Sequence, residues 1–374
     1  MNGREKSAPG RLRAMCSMVL LAPALRLIPG RAAAYSGGAC WLSMAVAAPF
    51  ILLDIWFLSA FMKNRAPGEG MSELLCRALG RAAGGAVSAL FSLWFVFYCG
   101  FILRSGADRF ISTVYPSSAP WVFVGVMLFM GLAAALGAEK TLQSAAAVFL
   151  PFMAAALTLV LILAFTTVSA ENLLPVTAAD AVPVLKGAAP AADVCCAILT
   201  DACFLEGGSV KSPRRFRDWS LWLIPQLVLM LALCAVTVGN FGGELTAKMN
   251  YPFFAMIRSV RIIKSVERIE ALVVALWVAP DFVLVSMLLI IASRTLMKCA
   301  GYVSREGGAA LDMTHGRFII WLCALGAGLV SVFIAPDSFA LELFSAKIIP
   351  GLNIALIFVL LPACFVAGKI RKTI

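Results

Sequence analysis

Charge is scarce in this chain and histidine nearly absent. Only 14% of the 374 residues are Asp, Glu, Lys or Arg, and His315 is the single histidine. One imidazole cannot furnish the paired histidines of a zinc protease, and no C-x-x-C pair occurs among the eleven cysteines. No P-loop, H-E-x-x-H or G-x-S-x-G stretch occurs either, so no enzyme activity, metal or cofactor is expected. The cysteines lie scattered through apolar runs (Cys16, Cys99, Cys234, Cys323, Cys364), with Cys195-Cys196 the one adjacent pair. They read as small packing residues. There is no N-x-[ST] sequon to mark a glycosylated exterior. No long hydrophilic segment is present, so the formal net charge of +11 has no basic soluble domain through which to hold nucleic acid.

Apolar residues make up the rest: 61% of the chain, with a mean hydropathy of +0.93. That composition belongs to a polytopic, all-α integral membrane protein. A hydrocarbon core takes about 20 mostly apolar residues per helix. Ten transmembrane helices fit, at about 14–34, 38–62, 84–106, 119–138, 142–167, 188–207, 219–239, 268–298, 318–335 and 348–368. They form one transmembrane domain over 1–374, which includes a short cytoplasmic N-tail, 1–13. The basic N-tail followed by "MCSMVLLAPAL" and "RAAAY" also has the outline of a cleavable signal peptide, although Arg26 is foreign to such a segment.

Basic residues orient the chain. With a cytoplasmic N-terminus, 20 lysines and arginines fall inside and 10 outside, which places both termini in the cytoplasm. Half of the outer ones cluster between Lys248 and Arg268. Within "PFFAMIRSVRIIKSVERIE", Arg258, Arg261, Lys264 and Arg268 share one helical face, while Phe253, Ile257, Val260 and Ile263 fall elsewhere. An interfacial amphipathic helix is expected over about 252–266, with a helix docked on a partner or a solvated connector as alternatives.

An ionisable group at mid-span costs about 2.5–3.5 kcal/mol on insertion scales, so it faces a bundle interior or a wet cavity. Asp54, Asp193, Asp201, Glu206 and Asp281 are the acidic candidates, and Arg26 and Arg104 the basic ones. For each, a structural ion pair, such as Asp54 with Arg26, stands beside a ligand role. Two spans look interrupted. "APALRLIPG" places Pro23 and Pro29-Gly30 in the first, and "AILTDACFLEGGSV" brings Asp201, Glu206 and Gly207-Gly208 to the sixth. Ten spans divide as five plus five, and interrupted helices at matching positions of two halves point to a transporter-type binding site. The alternative is that Gly207-Gly208 ends the sixth span at the membrane face, before the basic run "KSPRRFR".

Four stretches resemble the spore germination permease family, the polytopic B subunit of the GerA-type nutrient receptors of endospore-forming bacteria. They are "ENLLPVTAADAVPVLKGA" (171–188), "GNFGGELTAKMNYPFFAMIRSV" (239–260), "VERIEALVVALW" (266–277) and "LRSGADRFISTVYPSSAP" (103–120), spread through the chain from about 80 to 300. The family lies in the amino acid–polyamine–organocation superfamily. The resemblance implies a LeuT-like 5+5 inverted repeat with broken helices 1 and 6, residence in the spore inner membrane, and partnership with a receptor A subunit and a lipoprotein C subunit. It also implies a small-molecule germinant, such as an amino acid, bound among spans one, three, six and eight. Carried onto this chain, that pocket takes Ala22, Pro23, Ala24 and Leu25 from span one and Tyr98 from span three. Thr200, Asp201 and Phe204 come from span six and Trp277 from span eight. The first span departs from the family in having Ala22-Pro23 where a glycine is usual and in adding Arg26, and the usual Gly-Glu pair of span six is inverted as Glu206-Gly207. A germinant receptor, a proton- or sodium-coupled amino acid transporter and a non-binding scaffold subunit are the three functions compatible with these features.

Overall fold

The computed structural model describes residues 9–66, 69–113, 118–174, 176–205, 215–259, 269–299, 313–335 and 337–373. Among them there is no β-strand. The helices are α1 (Pro9–Ser36), α2 (Cys40–Lys63), α3 (Met71–Leu79), α4 (Arg81–Thr113), α5 (Pro120–Leu136) and α6 (Glu139–Phe165). A second series follows: α7 (Ala181–Gly187), α8 (Ala189–Leu205), α9 (Arg215–Phe241), α10 (Gly243–Lys248), α11 (Pro252–Ser259), α12 (Ile269–Cys299), α13 (Met313–Phe333) and α14 (Ser338–Ile370). Among the described residues, eight segments are long and apolar enough to cross a membrane. One of them, Gly10–Lys63, contains both α1 and α2, and α5 is a shorter apolar helix. Each of the ten expected spans therefore has its helix.

The order of the two series is the same. Two long helices are followed by a short one (α3) or a short pair (α10 and α11), and then by three more crossings. Five crossings per series is an odd number, so the second series enters from the face opposite the first.

α1 occupies the centre. It packs on α2, α6, α8, α9 and α12, and from Met15 to Ala33 nearly every side chain is buried. A helix apolar on all sides is one surrounded by others. That also accounts for a correction. The first span does not break: α1 runs unbroken from Pro9 to Ser36 with Pro23 and Pro29 inside it. A proline in a buried membrane helix is tolerated where neighbouring helices hold the backbone in place. The described helix already includes Pro9, within the expected N-tail. α8 is regular from Ala189 to Leu205, and Glu206 and Gly207-Gly208 lie outside the described residues.

The irregular helix is the last one. α14 carries two π-helical stretches, Phe344–Ile348 and Ile354–Leu360. Pro350 and Pro362 each sit just after one of them, at the start of the following α-helical stretch. A wider turn accommodates the ring and the missing N–H, and π-turns are frequent at functional sites.

Outward faces carry Trp121, Phe129, Phe152, Phe165, Phe318 and Trp321, all more than half exposed, as lipid contact requires. One end of the bundle is tied by charges: Lys298 to Glu73 at 2.7 Å, Arg77 to Glu69 at 3.1 Å, and Arg294 to Glu139. Of the expected amphipathic helix, the described part is α11. Its Phe253, Phe254 and Met256 are buried against the protein, while Arg258 and Ser259 are exposed. Val260, Arg261, Ile263, Lys264 and Arg268 lie outside the described residues. The family-like loop at 171–188 clasps two helix ends. Asn172 Nδ2 donates to the Gly239 carbonyl at 2.9 Å, and a Cβ on Gly38 would lie 2.7 Å from the Asn172 carbonyl oxygen.

α4 and α13 approach closely at Gly100, where an added Cβ would lie 2.6 Å from Val330 Cβ and 2.7 Å from the Ala327 carbonyl oxygen. The backbone oxygen cannot yield as a side chain would. Gly100→Leu is expected to destabilise the protein by about 1–3 kcal/mol or more. Gly125 is exposed with nothing near its Cβ position, and Gly125→Ala is expected to change little. Thermal unfolding of both variants in detergent checks this.

Candidate functional site

Between the second half of α1, the start of α8 and the irregular part of α14 lies a cavity of about 590 Å³. α1 contributes Arg26, Leu27, Gly30 and Arg31, α8 contributes Pro190 and Asp193, and α14 contributes Glu342, Pro350 and Ile354. A recess of about 20 Å³, room for about one water, shares Leu27, Arg31, Pro190 and Asp193 with it and extends to Tyr98, Phe101, Ser345 and Asn353. Together they have the size and mixed lining of a small-molecule site.

The polar groups are distributed unevenly. Arg31 Nη2 donates to Ser345 Oγ at 2.6 Å and lies 3.8 Å from Glu342. Asp193 accepts a hydrogen bond from the Asn353 side chain, while its Oδ1 is buried without a partner. Arg26 is 2% exposed. Its Nη1 donates to Ser105 Oγ on α4, and its guanidinium lies 5.5 Å from the Phe101 ring centroid. Nε and Nη2 have no hydrogen-bond partner. Arg26 has no ion pair among the described residues. Tyr98 stacks between Trp94 and Phe101, at 5.7 and 6.1 Å between ring centroids.

A second polar cluster lies alongside. Arg109 of α4 is bonded to Asp281 of α12, each side chain 1% exposed. The next residue, Asp108, accepts from Tyr251 Oη at 2.8 Å and from Ser338 Oγ. α4 is thereby joined to α12, to the segment before α11 and to the start of α14.

Of the nine residues expected at the ligand, Tyr98 lines the recess. Ala22, Pro23, Ala24 and Leu25 are buried one turn before Arg26, in the packed centre of α1. Thr200, Asp201 and Phe204 are also buried, and none of these seven lines the two cavities. Phe204 packs on Phe91 and Phe95 of α4, with centroids 4.9 and 5.2 Å apart. Thr200 Oγ1 has no hydrogen-bond partner, and Asp201 has no ion pair among the described residues. Asp201 lies eight residues beyond Asp193, about 12 Å along the helix. Trp277 falls outside the residues whose side chains are described. The suggested Asp54–Arg26 pair does not form: Asp54 bonds to Cys196, and Arg26 turns to Ser105.

Arg26 and Asp193 were legible as intramembrane charges. Sequence reasoning missed the contribution of α14, because the helical pattern of residues 338–370 gives no sign of which face its π-turns open.

This architecture and cavity define a multi-pass membrane protein of the permease class. Residues 11–301 match the spore germination protein family, and the chain belongs to that family. YfkT of Bacillus subtilis (strain 168), named as a spore germination protein, is 25% identical over 239 residues. The match spans 64% of each chain, so the present chain covers just under two thirds of that relative's length. Two solved structures share the fold. A Na+-coupled sialic acid symporter in a substrate-bound outward-open state aligns over 94% of this chain and 85% of its own, with a TM-score of 0.55 and 12% identity. Mhp1, a nucleobase-cation-symport-1 family transporter with bromovinylhydantoin bound, aligns over 95% and 80%, with a TM-score of 0.61 and 12% identity. At that identity they establish the LeuT-like fold alone.

Proposed function

We propose that the chain is the membrane subunit of a spore germinant receptor, binding a small germinant of the amino acid class in the cavity between α1, α8 and α14. The observation that carries this reading is the cavity itself. It is about 590 Å³, largely apolar, with charged side chains on α1, α8 and α14, in a chain of the spore germination protein family. A non-binding scaffold has no need to keep such a space open between helices that could otherwise close on it. Binding acts by shifting a conformational equilibrium that partner subunits read. The partners on this reading are a receptor A subunit and a lipoprotein C subunit in the spore inner membrane, with both termini cytoplasmic. Thr200 and Asp201 lie deeper on α8, in reach of a ligand only after that helix moves.

Spores lacking this chain are expected to lose germination on one class of nutrients and keep it on others. The purified protein in proteoliposomes is expected to bind a nutrient of that class without accumulating it. Unchanged germination across a panel of amino acids, sugars and nucleosides would remove the receptor reading. Concentrative uptake driven by a proton or sodium gradient would replace it with transport.

A further inference from the structure

We infer that the ligand of this cavity must carry a carboxylate, and that Arg26 is the residue that holds it. This rests on the binding role proposed above and names the group that the site reads. A guanidinium offers five N–H donors in a rigid fork, and its Nε–Nη2 edge presents two of them in parallel, matching the two oxygens of a carboxylate. In Arg26 that edge is the one left without a partner, since Ser105 takes only Nη1. The side chain is 2% exposed, so bulk water does not take the place of a partner. Arg26 is among the residues lining the cavity, with Nε and Nη2 themselves buried behind its surface.

The charges around it point the same way. Arg109 and Asp281 both bear electrostatically on Arg26, so two guanidinium groups face one carboxylate. Asp281 is already bonded to Arg109. A buried guanidinium keeps its charge, and such a charge without a counter-ion is costly. An anionic group entering the cavity offsets that cost and completes the fork. Asp193 lines the same cavity with its Oδ1 unpartnered and Arg31 as the cation bearing on it, so an ammonium group on the same ligand would meet it there.

The test uses the full chain, purified and held in lipid nanodiscs. Binding is measured by thermal shift and calorimetry for the twenty standard amino acids, propionate, glucose and inosine. Each compound that binds is then compared with its carboxamide. Binding is expected from at least one carboxylate, with its amide weaker on the order of 100-fold. Arg26→Gln is expected to weaken the acid by a similar factor and to leave the amide little changed, and Arg26→Lys to recover part of the loss. Should Arg26→Gln fail to fold, Arg26→Lys together with the acid–amide comparison carries the test, and an acid preference unmoved by Arg26→Lys overturns the assignment to Arg26. Acid and amide binding equally well, or binding confined to glucose or inosine, overturns the carboxylate assignment and leaves the receptor reading standing. If no compound binds, both fall.

Discussion

Arg109→Ala is expected to destabilise the folded protein by about 3–5 kcal/mol, the cost of leaving one member of a buried ion pair uncompensated. Both side chains of the Arg109–Asp281 pair are 1% exposed, and the two residues are far apart in sequence, on α4 and α12. Asp281→Ala is expected to cost a similar amount. Arg109→Met with Asp281→Leu is expected to recover most of either loss, because apolar groups of like size need no solvation inside the bundle. The sum of the single effects should then exceed the double effect by well over 1 kcal/mol. Reversible unfolding in mixed micelles measures all three variants. Losses below about 1 kcal/mol in the single variants would mean that water or lipid headgroups reach the pair.

Next to this pair, Asp108 bonds to Tyr251 and Ser338, so α4 holds three elements of the second helix series from two adjacent residues. The junction joins α4, which supplies Tyr98 and Phe101 to the recess, to these outer connections. α14 begins at Ser338 and runs on into Glu342 and Ser345, which touch Arg31. A ligand that draws Arg26 or Arg31 to itself therefore acts on contacts continuous with the Asp108 junction. Asp108→Asn is expected to keep the fold while weakening this link, seen as a change in ligand affinity with little change in thermal stability. A large fall in stability with unchanged affinity would assign Asp108 to folding alone.

The helices were legible because a span is written in composition: about 20 apolar residues leave no other solution in hydrocarbon. Their number and order, and the family, followed from that and from loops such as 171–188, whose contacts to Gly38 and Gly239 explain their distinctive sequence. The state of each helix was less legible. Pro23 and Pro29 suggested a broken first span, yet α1 is continuous, since the helices packed around it supply what a local propensity cannot include. Pro350 and Pro362 drew no attention, and they accompany the π-turns beside the cavity. For the site, the intramembrane charges stood out by their cost, but their pairing did not. Asp54 had Cys196 and Asp281 had Arg109 as partners, each from a distant part of the chain. Arg26 keeps Nε and Nη2 without hydrogen-bond partners, and Asp193 its Oδ1.

Arg26→Met should separate binding from stability in opposite directions. Methionine fills the same apolar channel through α1 without a charge to solvate. The variant loses the Ser105 hydrogen bond, worth about 1.5–3 kcal/mol for a charged donor, and the contact with Phe101, worth about 0.5–2 kcal/mol. Against this it removes a buried guanidinium whose Nε and Nη2 are unpartnered, a penalty of several kcal/mol. The balance favours the variant, so the ligand-free protein is expected to gain about 1 kcal/mol or more in stability while the carboxylate ligand loses on the order of 100-fold in affinity. A residue kept only for packing would show the reverse, with a lower melting temperature and unaltered binding. Thermal unfolding with and without ligand distinguishes the two: ligand should raise the melting temperature of the unaltered protein and leave that of Arg26→Met where it was. A melting temperature that falls on substitution would mean that Ser105 and Phe101 already satisfy the guanidinium, and the cavity would then have lost its anion-reading group.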